Sequence, residues 1–179
     1  MKPEQQALNE AVVTGNIPAI ADALASGADV NFCDHHGQTP LIYVLRCWCE
    51  DPELTEQERL SVIRFLVEHG ANVNPPGDGV GRPLLFSSFG WYDSIFEYLL
   101  SCGADPNPPM DDDFETLFEW LIWKWRSDFF DVDEPEGSQE GEDVVDWLSR
   151  IATKYGKPQP RILQMLKAAG AKRYSELHQ

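Results

Sequence analysis

The chain has 179 residues, of which 42% are apolar and 11% aromatic, so it is long and apolar enough to bury a core. Fourteen Lys and Arg residues against 30 Asp and Glu residues give a formal charge of −16, which argues against binding to nucleic acid or anionic lipid. The sequence has no apolar run as long as a membrane span and no apolar segment typical of a secretory signal near residue 1. We therefore expect a soluble, cytoplasmic protein.

The predicted elements repeat one pattern along the chain. Two short helices, near residues 4–13 and 17–25, come first and are joined by a Thr-Gly-Asn turn. The pentapeptide Gly-Ala-Asp-Val-Asn follows at 27–31, and close copies of it follow later apolar stretches. These copies lie at 70–74 and 103–107, with a weaker one at 170–172. Such regular recurrence predicts a repeat protein.

Each copy of the pentapeptide predicts the end of one helix and leads to the start of another. Glycine after an apolar helix favours a left-handed cap, and the Asp or Asn that follows suits a turn. Ten residues after each Asn of the first three copies comes a leucine, namely Leu41, Leu84 and Leu117. Thr39 and Pro40 precede the first of these leucines, which predicts a capped helix start.

This pattern resembles the ankyrin repeat, whose unit has about 33 residues. The resemblance implies an all-α solenoid of about four helix-turn-helix units with hairpin or extended loops. We expect a single domain over 1–179, with units near 4–36, 37–79, 80–112 and 113–179. The second unit is about ten residues too long, near 49–57, and the last contains a long acidic insertion near 127–157.

The loop tips and one turn supply the first candidate contact residues. His35 and His36 lie next to each other at the tip of the first long loop, where they are either a solvated turn or a pH-sensitive partner contact. Asp78 lies in a glycine-rich tip, which lacks the context of a phosphate-binding loop. Trp91 stands where the repeat usually has a turn glycine.

The last unit supplies the second group of candidates, which are acidic and aromatic. Asp111, Asp112 and Asp113 precede a segment that contains Trp120 and Trp123. Leu117, Trp120, Leu121 and Lys124 fall at helical spacing, which predicts one buried face, whereas Trp123 and Trp125 lie off that stripe. The tryptophans off the stripe either pack under the insertion or anchor a partner.

Neither a metal nor a cofactor site is expected. The chain has no C-x-x-C pair, and Cys47 and Cys49 would point to different faces of a helix. The segment from Asp131 to Glu142 partly mimics a calcium loop, but Pro135 and Glu136 occupy positions that need a ligand and a glycine. Because no catalytic constellation is present, we expect a protein that is not an enzyme.

The resemblance and the charge together give the functional expectation. Ankyrin arrays bind other proteins. This small acidic chain resembles the ankyrin-repeat immunity proteins of bacteria, which occlude the active cleft of a toxin enzyme. The expected partner is thus a basic protein, such as a toxin domain; the alternative is a regulatory or scaffold protein that binds an endogenous enzyme. Residues 111–146 carry a net charge of −12 and residues 147–179 a net +6, so the tail could also neutralise the acidic segment.

Overall fold

The structure is a computed structural model and describes residues 1–46, 54–76, 82–108, 110, 116–130 and 136–177. Within these ranges it contains ten helices and no strand, which confirms the all-α prediction. The helices are α1 (Pro3–Val13), α2 (Ile17–Ala25), α3 (Pro40–Arg46), α4 (Glu56–Glu68), α5 (Pro83–Ser88), α6 (Asp93–Ser101), α7 (Leu117–Phe129), α8 (Val144–Tyr155), α9 (Arg161–Ala168) and α10 (Tyr174–Leu177).

The four predicted helix ends share one geometry. The glycine of each copy has a left-handed backbone with φ between 85° and 95°, at Gly27, Gly70, Gly103 and Gly170. The amide of the alanine that follows donates to a helix carbonyl five residues back, as Ala71 does to Leu66 at 2.9 Å. Glycine takes this conformation without a Cβ clash, which explains why it recurs at these positions.

The predicted helix starts are also present. The Thr39 hydroxyl accepts a hydrogen bond from the Ile42 amide at 3.4 Å, and the Thr116 hydroxyl accepts one from the Glu119 amide at 3.1 Å. Arg82 precedes α5 and makes no such capping bond. Two of the three helix starts are therefore fixed by the side chain that the sequence predicts.

The asparagine that ends each pentapeptide links its repeat to the next. Asn31 donates from Nδ2 to the Gly70 carbonyl at 2.8 Å, and its Oδ1 accepts from the Asn72 amide at 2.7 Å. Asn74 repeats both bonds, to the Gly103 carbonyl and from the Asp105 amide, each at 2.8 Å. One side chain per repeat thus satisfies a donor and an acceptor of the next loop.

The chain divides into two compact units, residues 1–105 and 106–179. In the first unit α1, α3 and α5 pack side by side, and each packs against the second helix of its own pair, α2, α4 or α6. We call the surface formed by α1, α3 and α5 the first-helix face. The side chains at the centre of this unit are buried and apolar: Leu8, Ile20, Leu41, Ile42, Ile63, Leu66, Ile95, Phe96 and Leu99.

A buried arginine connects α3 and α4 in the first unit. Arg59 of α4 is only 3% exposed. Its Nη1 donates to the Val44 carbonyl at 3.1 Å, and its Nε donates to the Leu54 carbonyl at 3.2 Å. The first carbonyl belongs to α3 and the second to a residue just before α4, so one side chain ties the two helices together.

In the second unit α7 packs against α9, and α8 comes between them in the chain. Asn107 donates to the Gly170 carbonyl at 3.2 Å and accepts from the Lys172 amide at 2.7 Å, which is the geometry of Asn31 and Asn74. The weak fourth copy of the pentapeptide therefore occupies the position of a next repeat, although 63 residues separate the two partners. The division into one domain of four units stays a prediction.

Candidate partner-binding surface

An open groove lies on the first-helix face, between α1 and α3. It has a volume of about 290 Å³ and is lined by Asn9, Glu10 and Val13 of α1, by Thr14 just after α1, and by Tyr43 of α3. Val13, the last residue of α1, is 37% exposed. The groove is large enough for one apolar side chain and carries a carboxylate, Glu10, at its edge.

One aspartate holds the adjacent loop tip in place. The Oδ1 of Asp34 accepts from the amides of His36 and Gln38, at 2.8 Å and 2.9 Å. Its Oδ2 accepts from the hydroxyl of Tyr43 at 2.6 Å. The residue that turns the loop is thus bonded to a residue that lines the groove, so the tip and the groove form one local structure.

The same hydrogen bonds keep Asp34 ionised. Partial burial opposes the charge, but the bonds from Tyr43, Gln38 and His36 outweigh it and hold the pKa of this carboxyl below its usual value. The carboxylate therefore remains a hydrogen-bond acceptor at neutral pH, and the loop tip stays anchored there.

The two predicted histidines lie at this tip. His35 and His36 are both exposed, and their ring centroids are 3.8 Å apart. No three His, Cys, Asp or Glu side chains lie close enough to hold a metal ion within the described ranges. The pair is accordingly presented to solvent on an ordered turn, where a partner can reach it.

Four of the other predicted contact residues lie outside the described residues, namely Asp78, Asp111, Asp112 and Asp113. Their role as partner contacts stays a prediction. The same holds for Cys47 and Cys49, and for most of the predicted extra segment of the second repeat.

The tryptophans of α7 differ sharply in exposure. Trp123 is 54% exposed, Trp120 is half-buried, and Trp125 is only 1% exposed. The predicted buried stripe is therefore wrong in part, because Trp125 belongs to the core and Lys124 does not. Phe129 and Phe130 pack on Trp125 with ring centroids 5.6 Å and 5.4 Å away, and Tyr155 of α8 packs on Phe130. Packing beneath the insertion thus accounts for Trp125, whereas the role of Trp123 as a partner anchor stays a prediction.

The acidic segment before α8 binds the basic residues that follow it. Glu142 makes a two-point ion pair with Arg150, with Nε to Oε1 at 2.7 Å and Nη2 to Oε2 at 2.9 Å. The Gln139 amide donates to the same carboxylate at 2.8 Å. These bonds, led by that from Arg150, lower the pKa of Glu142 to about 2.

Two further acids are paired in the same way. Glu136 binds both Lys154 and Arg150, and these partners lower its pKa. Asp143 pairs with Lys167 at 2.7 Å and caps α8 by accepting from the Val145 amide at 2.9 Å. We call these three acids and their three bases the acidic clasp. Part of the charge that the sequence suggested for a partner is thus used inside the second unit.

Sequence reasoning missed the groove and anticipated the acidic clasp only as a balance of charge between two segments. The groove depends on Tyr43 lying beside α1, and no local pattern shows that contact. The clasp had a visible signal, since a basic tail follows an acidic segment, but the pairing of individual residues did not follow from it.

The fold and the surface define a helical repeat protein whose neighbouring loops are joined by recurring asparagine hydrogen bonds. A family model described as "Ankyrin repeats (3 copies)" matches residues 8–110, which is more than half of the chain. The chain belongs to the ankyrin repeat family. It is accordingly a protein–protein interaction module, because that is what ankyrin repeats generally form.

A curated protein is similar to part of this chain. It is an Arabidopsis thaliana protein named "Putative E3 ubiquitin-protein ligase XBAT35", 33% identical over 114 residues. The match covers 63% of this chain and 22% of the relative, so the chain spans about a fifth of that protein's length. In the described part of the chain, no helix combines the length and apolarity that a membrane crossing needs.

Proposed function

We propose that this protein is a non-enzymatic inhibitor that binds a basic partner protein through the groove and the Asp34-anchored loop tip. The observation that carries the proposal is the bond between Tyr43 and Asp34, which joins an apolar recess to an ordered tip. A recess that takes one side chain and a rigid tip beside it are the features of a central contact in an interface.

Charge supports a basic partner. The first unit, residues 1–105, contains 15 acidic and 5 basic residues, a net charge of −10. Glu10, Asp22, Glu68 and Glu97 make no ion pair with any residue that the structure describes. Their field is not cancelled locally, so it accelerates encounter with a positively charged surface.

The finer proposal is that the partner is a toxin enzyme and that the protein confers immunity to it in the cytoplasm. The support is the resemblance to small acidic ankyrin immunity proteins and the negative charge of the first unit. The mechanism is steric: the loop tip with His35 and His36 enters a basic active cleft, while an apolar side chain of the toxin fills the groove.

The test is co-expression with the product of the neighbouring gene in the native genome, followed by binding measurements on the purified pair. We expect rescue from toxicity and an affinity that falls as salt is raised, because exposed charges are screened. Val13→Arg fills the groove with a positive charge, which repels the basic partner. It should weaken binding at least about tenfold, the effect of losing a central contact.

Ala7→Arg is the matched control for that variant. Ala7 is exposed on the same helix and does not line the groove, yet the change in charge is identical. We expect it to weaken binding by no more than about threefold, the effect of a peripheral charge. Equal losses in the two variants would show that the groove is not the contact.

A regulatory or scaffold protein that binds an endogenous enzyme is the second candidate. It is favoured by the similarity of the repeat segment to a protein named as a ubiquitin ligase, a class of regulator. In that case deletion causes no sensitivity to a neighbouring toxin, and the partner is encoded elsewhere in the genome. The groove variants should still disrupt binding.

A further inference from the structure

Two turns at equivalent places in the first unit are built from different residues. In the turn from α1 to α2, Gly15 has φ 68° and its amide donates to the Val12 carbonyl at 3.3 Å. Asn16 follows and caps α2 by accepting from the Ala19 amide at 3.1 Å. This turn has the residues that the geometry favours, since glycine tolerates a positive φ and asparagine is a good cap.

The turn from α5 to α6 keeps the geometry and loses both favourable residues. Trp91 has φ 56°, and its amide donates to the Ser88 carbonyl at 3.3 Å, as Gly15 does to Val12. Tyr92 occupies the cap position of α6 and makes no capping hydrogen bond from its side chain. A bulky residue in the left-handed region is strained. Among the non-glycine residues that the structure describes, Trp91 alone has a positive φ.

Two aromatic residues, Phe86 and Phe89, precede the strained position in the chain. Phe89 is 37% exposed, and its ring lies 5.6 Å from that of Phe86. The guanidinium of Arg46 lies 5.6 Å above the Phe86 ring, so this patch already holds one arginine against an aromatic face. Trp91 is half-buried and follows Phe89 by two residues, beyond the end of α5.

We propose that Trp91 is an anchor for an arginine side chain of the partner, which packs on the indole face. Strained backbone persists where function requires the side chain, and here aromatic residues stand where the equivalent turn has glycine and asparagine. Tryptophan is the best aromatic platform for a guanidinium, and the first unit's net charge of −10 favours a cationic ligand. The inference rests on the proposed function for its partner, while the site itself can be tested without that partner.

The strain is tested by two variants that both remove the indole. Trp91→Gly and Trp91→Ala lose the same contacts of the indole, but only glycine adopts φ near 56° without steric strain. We expect the glycine variant to unfold at a temperature several degrees higher than the alanine variant. Equal unfolding temperatures would show that the backbone is not strained and would overturn the argument.

The anchor is tested with an arginine hexapeptide as the probe and a lysine hexapeptide as its control. Indole N–H signals in a nitrogen–proton correlation spectrum report each tryptophan, and Trp91→Phe assigns that of Trp91. The arginine peptide should shift the Trp91 signal more than the lysine peptide does, and should leave that of buried Trp125 unchanged.

Both glycine and alanine variants should bind the arginine peptide about two- to fivefold more weakly, whereas Trp91→Phe retains most of the affinity because a ring remains. No shift at Trp91, or a shift at Trp123 as large as that at Trp91, overturns the anchor. If the neighbouring gene product fails to bind but the Trp91 signal responds to arginine, the proposed toxin partner fails and the anchor stands.

Discussion

The two compact units use acidic side chains in opposite ways. In the second unit Glu136, Glu142 and Asp143 each bind a base, and those contacts order the segment before α8. In the first unit Asp22 and Glu97 make no ion pair with a described residue. Three acids of the segment that is most acidic in sequence are therefore engaged inside the second unit. Net charge locates a partner surface only after internal pairing is known.

The largest expected effect concerns the core of the second unit. Trp125→Ala should lower the free energy of unfolding by about 3–5 kcal/mol, because it leaves a large cavity among Phe129 and Phe130. Urea unfolding followed by circular dichroism measures the loss. Trp123→Ala on the same helix is the matched control, since that side chain is mostly exposed, and should cost less than about 1 kcal/mol. Similar costs for both would contradict the burial pattern.

The bonds between repeats should give the next effect. Asn74→Ala removes one donor and one acceptor, and we expect a loss of about 1–2 kcal/mol. Amide hydrogen exchange should accelerate at Asp105, whose N–H loses its acceptor. In Asn31→Ala the affected amide is instead that of Asn72. Faster exchange at both amides in either variant would mean that the bridges do not act locally.

The acidic clasp gives a prediction on pH. The pKa of Glu142 is lowered from 4.5 to about 2, so its ion pair is fully present above about pH 4.5 and is lost as the pH falls through about 2. The chemical shift of the Gln139 amide, which donates to this carboxylate, should follow that transition. In Glu142→Gln the transition should disappear. A midpoint near 4.5 in the native protein would rule out the pair with Arg150.

The smallest effect on stability is expected from the available acids of the first unit. The double variant Asp22→Asn and Glu97→Gln should change the free energy of unfolding by less than about 0.5 kcal/mol. It should nevertheless slow association with a basic partner at low salt and leave the rate unchanged at high salt. Glu142→Gln should show the reverse, with more local exchange and an unchanged association rate. Stopped-flow mixing and hydrogen exchange separate the two outcomes.

Much of the fold was predictable because its signals are local. A glycine after an apolar stretch ends a helix with a left-handed backbone, as at Gly70. A threonine before an apolar stretch caps the start of a helix, as Thr116 does by accepting from the Glu119 amide. The buried face of α7 was harder to predict, since several of its stripes are apolar and only its neighbours decide which one is covered. Trp125 is buried because Phe130 and Tyr155 meet over it.

The candidate site was predictable at its tip and not at its groove. Two histidines between Asp34 and Gly37 indicate an exposed turn by themselves. The groove requires Val13 and Tyr43, 30 residues apart, to face one another, and that depends on how helices of successive repeats pack. Long-range contacts of single side chains are what one sequence does not show.

Arg59 joins α3 to the residues before α4 through side-chain hydrogen bonds as well as through the chain. Because it binds the carbonyls of Val44 and Leu54 directly, the register of these two helices depends on one buried side chain. A graft of foreign sequence between Arg46 and Leu54, such as an epitope or a fluorescent reporter, should therefore leave the groove and its loop tip in place as long as Arg59 keeps both bonds.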